Sequence, residues 1–459
     1  MNALRSKLEN RHATAAVIGL GYVGLPLAME IAAAGFDVIG IDLDESKIAM
    51  LKEGRSYILD VPENDIADAV RSGKFTPTSD FSALAKADTV SICVPTPLSK
   101  SRDPDISFIL SATEEIRKYL HRGQLVVLES TTYPGTTDEL IVPELESSGL
   151  KVGGDFCVAF SPERIDPGNA TFTTRNTPKI VGGITAQCTE IARLFYSQFI
   201  ERVIPVSSTK CAEMVKLLEN TFRSVNIGMV NELALMCDLL GVDVYEVIDA
   251  AATKPFGFSP FYPGPGLGGH CIPIDPHYLA WKLKALNFQA RFIGLAAEIN
   301  GMMPSVVSTL VGDGLNRVSK SIRGSKVMVL GVAYKKNVSD CRESPALDVM
   351  RLLNEKGAML SYNDPMVPSL RLGRSTLKSI EASPAIIAEH DCVIILTDHS
   401  AYDIRAIVEA AKLVIDTRNA TKDLHAFKDR IIQLGAGNNP RSNARHDGGY
   451  EASVELGTH

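Results

Sequence analysis

Short runs of small and β-branched apolar residues alternate with helical spacing through the first 120 residues. Ala15–Ile18, Phe36–Ile41, Thr89–Val94 and Gln124–Leu128 predict strands, and Leu25–Ala34 predicts a helix directly after the first of them. Strands separated by helices at this interval imply right-handed βαβ units and a parallel sheet. Cys157–Phe160 and Lys179–Val181 predict further strands, with Pro, Gly and Asn between them.

The pattern then changes. From Ser207 to about Ala252 no strand period is present, and Met214, Val215, Leu218, Phe222, Val225, Met229, Leu233 and Met236 recur at three- and four-residue steps. About 30 residues of helix extend roughly 45 Å, the width of a domain, so this stretch is expected to connect domains and carry a dimer seam. Pro255 to Pro276 is dense in Gly, Pro and aromatics and fits neither period. A long irregular loop inside a compact protein is usually functional. A helical stretch is expected from His277 to about Val318, with Pro304 starting a new helix. The βαβ alternation returns with strands at Val327–Val332, Met359–Tyr362, Cys392–Leu396, Leu413–Asp416 and Arg430–Leu434. After Gly435 the chain turns polar and is expected to be a disordered tail.

Composition narrows the function classes. The 459 residues are 45% apolar and 22% charged, which suits two or three globular domains and excludes wholesale disorder. A net charge of −7 argues against nucleic acid or an anionic membrane as the main partner. No apolar run reaches the ~18–20 residues of a spanning helix. The first apolar stretch, Ala13 to Gly21, runs straight into a glycine motif, so no signal peptide is expected. Eight scattered cysteines without a Cys-x-x-Cys pair suggest neither zinc nor a disulfide framework, and point to a cytoplasmic chain with reduced thiols.

Gly19-Leu20-Gly21-Tyr22-Val23-Gly24 is a G-x-G-x-x-G that follows a strand and opens a helix. Such glycines permit a tight turn, close approach of a pyrophosphate, and helix-on-strand packing, with the helix N-terminus facing the phosphates. Asp42 ends the second strand about 18 residues later, where a carboxylate accepts from an adenosine ribose and disfavours a 2′-phosphate; NAD rather than NADP is expected. Lys47 either closes over the adenosine end or is a solvated helix lysine.

The octet Gly268-Gly269-His270-Cys271-Ile272-Pro273-Ile274-Asp275 lies in the irregular loop. Glycines before Cys271 allow close approach of a substrate, and local amides or a cation would raise its thiolate fraction. Cys93, Cys157, Cys188, Cys211, Cys237 and Cys392 sit in apolar or helical sequence and read as small buried hydrophobes; Cys341 is less clear. His270 and His277 have no third ligand candidate beside them, so no metal is expected. Lys216 and Asn220 are four apart and share a helix face. Lys216 interrupts an apolar neighbourhood, either as a snorkelling lysine or as a group that stabilises an oxyanion or receives a proton.

In order along the chain, the glycine motif, Ser130-Thr131, Ser161-Pro162-Glu163, Lys216/Asn220, the Cys271 octet, Tyr334-Lys335-Lys336 with Arg342-Glu343-Ser344, and Asp416-Thr417-Arg418 resemble the UDP-glucose/UDP-N-acetyl-sugar 6-dehydrogenases from about residue 14 to 435. The segments 160–169 and 256–281 look most like the bacterial UDP-N-acetylglucosamine branch. The resemblance implies oxidation of a C6 primary alcohol to a carboxylate with two NAD and one water. It makes Cys271 the nucleophile that carries a thiohemiacetal and then a thioester, and Glu163 the carboxylate that activates the hydrolytic water. Lys216, Asn220 and Asp275 would handle the proton and oxyanion of the first oxidation, and Thr131 would help hold the water. Tyr22 and Val23 of the glycine turn, Thr96 and Arg342 fall at cofactor positions. Arg164, Gly268, Gly269, Lys335 and Arg418 fall at UDP-sugar positions, with Glu163, Lys216 and Asn220 also facing the sugar. Ile274 stands where animal UDP-glucose enzymes have lysine, and no arginine occurs between Thr253 and His270; both count against UDP-glucose. UDP-glucose and the N-acetylmannosamine and N-acetylgalactosamine epimers stay open as alternatives.

The expected fold is thus α/β, with two Rossmann-like doubly wound domains joined by a long central helix and a helical middle domain. Residues 1–206 would bind NAD, 207–320 would dimerise and carry the cysteine loop, 321–437 would bind the UDP-sugar, and 438–459 would form the tail. A homodimer or higher homo-oligomer is expected.

Overall fold

A computed structural model describes residues 1–58, 61–98, 103–165, 171–269 and 272–437. The expected tail, 438–459, lies outside the described residues. The chain divides into two compact units: Met1–Thr221 with Ile274–Gln289, and Phe222–Pro273 with the residues from Ala290 onward.

The first unit is built on β1 (Thr14–Ile18), β2 (Asp37–Ile41), β3 (Phe75–Thr78), β4 (Thr89–Ile92), β5 (Leu125–Leu128), β6 (Cys157–Phe160), β7 (Lys179–Gly183) and β8 (Val203–Pro205). Their spatial order, 3-2-1-4-5-6-7-8, contains the doubly wound order 3-2-1-4-5-6, and these six strands are mutually parallel. β7 reverses direction against β6, and β8 follows β7 in parallel. Both faces of the sheet are covered. Val17 and Val38 join one core with Leu25 and Ile31, while Ala16, Ile18, Val90 and Ile92 join another with Ile109 and Ile116. Burial on both faces explains the continuous apolar runs in the strands.

The second unit holds a parallel sheet of β9 (Lys326–Leu330), β10 (Met359–Asn363), β13 (Cys392–Ile395), β14 (Val414–Asp416) and β15 (Ile431–Gln433), in the order 10-9-13-14-15. A separate hairpin pairs β11 (Ser369–Leu372) with β12 (Ser375–Lys378). The α/β architecture agrees with the expectation. The periods in the sequence miss β3, β8 and the hairpin. β3 and β8 are short edge strands containing proline, which is tolerated there because its missing N–H faces no ladder partner.

A helix of 32 residues, Thr209–Leu240, contributes its first part to one unit and its remainder to the other. Met214, Leu218, Phe222, Met229, Met236 and Leu240 recur along it at steps of four and seven and are all exposed. Gly228 lets this helix approach the helix Arg291–Arg317 closely, since a Cβ there would lie 3.2 Å from the Ala296 Cα. Pro304 does not start a helix: it sits inside Arg291–Arg317. The break falls earlier, after the helix Asp275–Lys284, where Asn287 takes a left-handed φ of 55°. Proline in a helix deprives the carbonyl four residues back of its donor; here that carbonyl is Asn300, with Gly266 lying against it.

Candidate functional site

The glycine turn carries its expected geometry. Gly19 has φ 90°, and a Cβ on it would lie 2.6 Å from the Cys93 carbonyl oxygen; a Cβ on Gly24 would lie 1.9 Å from the Gly19 oxygen. Both glycines are therefore required by the fold. Around Gly21 nothing lies within 4 Å of a Cβ position, so its small size leaves space that the protein itself does not use. Val23 is the N-cap of the helix Gly24–Ala33, and Tyr22 is 44% exposed at the turn. Asp42 accepts from the Leu20 N–H at 2.9 Å and from the Asp44 N–H at 3.0 Å, and Lys47 pairs with it at 3.2 Å. The Asp42 carboxylate is thus fixed at the mouth of the turn, and Lys47 is engaged there rather than simply solvated. An open glycine flanked by two closed ones, with an oriented acid beside them, fits a dinucleotide.

A second group of side chains gathers within the same unit. Lys216 and Asn220 lie one turn apart on the long helix. The Lys216 amine donates to the Glu163 carbonyl oxygen at 2.6 Å, and the Asn220 amide donates to Asp275 Oδ2. Asp275 is 2% exposed and opens its own helix. Burial raises its pKa to about 6, although the Lys216 charge and the Asn220 hydrogen bond pull in the other direction. Burial would also raise Glu163, but it is held below the usual carboxylate value by the Lys179 ammonium, the Ile165 N–H, the Lys216 charge and the Arg164 N–H. One site therefore holds two carboxylates with pKa values pushed apart, a pattern that separates acid–base roles. Thr131 follows β5, half-buried, and Arg164 places its guanidinium on Glu219 and the Pro178 carbonyl.

Thr96 enters through its backbone. Tyr278, fully buried and three residues beyond Asp275, points its hydroxyl at the Thr96 and Pro97 carbonyls at 3.0 and 3.2 Å. The carboxylate's helix is thereby tied to the loop after β4.

Other predicted residues belong to the second unit. Gly268 and Gly269 pack on Tyr334, whose side chain would lie 2.8 and 2.9 Å from a Cβ at either position. Any larger residue at either position would collide with Tyr334, so both glycines are required where the chain packs on that side chain. Arg418 donates from Nε to the Leu396 carbonyl, and Arg342 lies against Asp340 of its own loop. Lys335 is half-buried beside Tyr334. The loop of Lys335 is anchored by Asp364, which accepts from the Val332 and Ala333 N–H groups at 2.7 and 3.0 Å, and by His399. Because the Asn337 N–H donates to His399 Nδ1, the ring proton must sit on Nε2, which faces Asp364 at 3.0 Å. His270 and Cys271 lie outside the described residues. Among the described residues no three His, Cys, Asp or Glu side chains gather as a metal cluster.

Sequence reasoning overlooked Glu129, Lys179, Tyr196, Glu213 and Tyr278. Glu213 is fully buried and accepts from the Gly135 and Thr137 N–H groups, holding the turn after Thr131. A signal existed for two of them: Glu129 and Lys179 abut wholly apolar strands, where charges are seldom tolerated without a partner.

A dinucleotide cradle whose unit also presents proton-handling groups defines a pyridine-nucleotide-dependent oxidoreductase. The chain belongs to the UDP-glucose/GDP-mannose dehydrogenase family: the family's NAD binding domain matches residues 13–200, its central domain 210–302 and its UDP binding domain 328–423. It is an NAD-dependent UDP-sugar dehydrogenase acting on a CH–OH group. It is 36% identical to the UDP-N-acetyl-D-mannosamine dehydrogenase of Methanococcus maripaludis strain C7, over 92% of this chain and 97% of that one. It is 38% identical to the UDP-N-acetyl-D-glucosamine 6-dehydrogenase of Pseudomonas aeruginosa, over 77% and 82%. The solved UDP-D-ManNAc dehydrogenase of Pyrococcus horikoshii superposes with a TM-score of 0.84 at 34% identity, covering 92% of this chain and 99% of that one. Among the described residues no helix is long and apolar enough to cross a membrane.

Proposed function

We propose that this enzyme oxidises the C6 hydroxyl of a UDP-N-acetylhexosamine, UDP-N-acetylglucosamine first, to the uronic acid in two oxidations at one site. The reading rests on the Lys216–Asn220–Asp275 cluster beside Glu163: an amine and an amide to stabilise an alkoxide, a carboxylate with a pKa near 6 to take its proton, and a second carboxylate kept ionised for water. NAD, when bound, takes up two electrons in each oxidation. Asp275 accepts the C6 hydroxyl proton through the first, and Lys216 offsets the negative charge that develops on oxygen. Cys271 then holds the aldehyde as a thiohemiacetal, and its second oxidation leaves a thioester. Glu163 draws a proton from the water that cleaves this, with Thr131 helping to hold that water. Arg418 and Lys335, with Gly268, Gly269 and Arg164, serve the UDP-sugar; Asp42, Lys47, Thr96 and Arg342 serve the cofactor.

A second reading, UDP-N-acetylmannosamine, is supported by the names of several relatives at 34–37% identity. The missing arginine between Thr253 and His270 weighs against UDP-glucose. The exposed apolar stripe on the helix Thr209–Leu240 supports a homodimer. A panel of UDP-hexoses and UDP-N-acetylhexosamines with NAD+ and NADP+, read by absorbance of the reduced cofactor, tests the reading. Two equivalents of NADH per sugar, with UDP-N-acetylglucosamine fastest, are expected. One equivalent would reduce the enzyme to a two-electron dehydrogenase, and no turnover with any sugar would leave a nucleotide-sugar binder.

A further inference from the structure

The reversed strand β7 sets up a buried charge cluster that the proposed chemistry does not yet use. In parallel strands the carboxyl ends share one rim of the sheet, where ligands of open α/β folds bind. β4, β5 and β6 bring Cys93, Glu129 and Glu163 to that rim, each just after its strand. β7 runs the other way, so its first residue, Lys179, arrives at the same rim. Glu163, three residues beyond the end of β6, meets the Lys179 side chain there.

The side chains close the arrangement. The Lys179 ammonium is 2.7 Å from Glu129 Oε2 and 3.3 Å from Glu163 Oε2. It lies over the Tyr196 ring at 5.0 Å, and the Tyr196 hydroxyl donates to the other Glu129 oxygen at 2.6 Å. Glu163 Oε1 accepts from the Arg164 and Ile165 N–H groups at 2.8 and 2.7 Å. Both oxygens of Glu163 are thus oriented, one by backbone and one by Lys179. Lys179, Glu129 and Tyr196 are all deeply buried. A lysine in such a place keeps its proton only because carboxylates face it, and a buried carboxylate keeps its charge only because a cation does.

We propose that Lys179, backed by Glu129 and Tyr196, is a positioning residue that holds Glu163 ionised and aimed for the hydrolytic step. The proposal rests on the dehydrogenase reading. In that step one water adds across the C–S bond of the thioester. Its oxygen becomes part of the acid, the C–S electron pair returns to the Cys271 sulfur, one of its protons passes to Glu163 and the other stays on the new carboxyl; nothing is oxidised or reduced. A Glu163 that already carries a proton cannot accept this one. The other groups facing the carboxylate act less directly: Lys216 holds the Glu163 carbonyl, Arg164 is turned to Glu219, and Cys93 faces the cluster from the end of β4.

The test compares wild type with the double variant Lys179→Met/Glu129→Gln, which removes both buried charges together, and with Lys179→Arg, which keeps the cation. Circular dichroism melting checks folding. With UDP-N-acetylglucosamine and the other sugars of the panel, the double variant should release its first NADH at the wild-type rate. Its acyl-enzyme should build up, and the acidic limb of hydrolysis should move up by about one pH unit or more, roughly a tenfold loss below the limb. Lys179→Arg should restore most of the profile. Infrared difference spectra of each protein against its Glu163→Gln partner report the Glu163 proton without turnover. At about pH 6, above the ordinary glutamate value, the double variant should show the protonated carboxyl stretch and wild type should not. An unchanged profile and spectrum in a folded double variant overturns the role of Lys179 while leaving the dehydrogenase reading intact. Wild type that oxidises no sugar overturns that reading, and the infrared titration alone then decides whether Lys179 holds the Glu163 charge. Should the double variant not fold, Tyr196→Phe, which removes only the hydroxyl on Glu129, gives a smaller shift in the same direction or refutes the chain of contacts.

Discussion

Asn220 and Asp275 are hydrogen-bonded side chain to side chain, and the bond fastens the long helix to the first residue of another. A carboxylate at a helix N-terminus is ordinarily stabilised in its charged form, yet burial leaves Asp275 with a pKa near 6. Its proton balance is therefore decided by a few neighbours.

From this pair, kcat/KM should fall on the acid side with an apparent pKa of about 6. Asn220→Ala removes a donor from the charged form, so the limb should move to higher pH. Asp275→Asn should abolish it, with a rate loss of about 10²–10⁴. Because the folded-state value is raised, ionisation costs stability. The melting temperature should decline as pH climbs from the ordinary carboxylate range to about 6, and this slope should flatten in Asp275→Asn.

The glycines of the turn should separate binding from folding. A side chain at Gly24 meets the Gly19 oxygen at 1.9 Å, whereas one at Gly21 meets nothing. Gly24→Ala should cost at least about 1–3 kcal/mol in urea unfolding. Gly21→Ala should melt like wild type yet raise the KM for NAD about tenfold, roughly 1.4 kcal/mol.

Asp364 anchors the loop of Lys335. Burial acts to raise its pKa, but the His399 ring and the Val332, Ala333 and Met366 N–H groups hold it below the usual value. A depressed carboxylate contributes stability above its unfolded pKa and loses it as pH falls through the folded one. Once pH falls below the ordinary carboxylate range, acid should therefore destabilise the protein, and Asp364→Asn should weaken that dependence at a cost of about 3 kcal/mol at neutral pH, read by denaturant melts across pH.

The stripe on the long helix gives a prediction in solution. Phe222 and Met229 are 52% and 51% exposed on one helix face. A charge buried at an apolar interface is heavily penalised, so Phe222→Glu with Met229→Glu should shift the mass measured by light scattering from dimer to monomer. A wild-type mass of one chain would dismiss the seam.

Much of this was legible in the sequence because period and burial coincide. Strands buried on both faces, such as Leu125–Leu128 and Cys157–Phe160, read as apolar runs, and the step of four between Lys216 and Asn220 placed both on one face. Contacts made by backbone or by reversal were not legible. Tyr278 reads as an ordinary helix aromatic until its hydroxyl meets the Thr96 carbonyl, and Pro304 reads as a helix start until Asn287 supplies the actual break. Lys179 and Glu163 stand 16 residues apart, and only the reversed pairing of β7 with β6 joins them.

That reversal makes strand alignment something a stopwatch can measure. Were β7 to slide by one position, Lys179 would turn to the other face of the sheet, and Glu163 would lose the ammonium it now meets. Such a slip would also strand Lys179 and Glu129 as buried, unpaired charges, so a misaligned ladder would slow product release from sulfur and lower the melting temperature together.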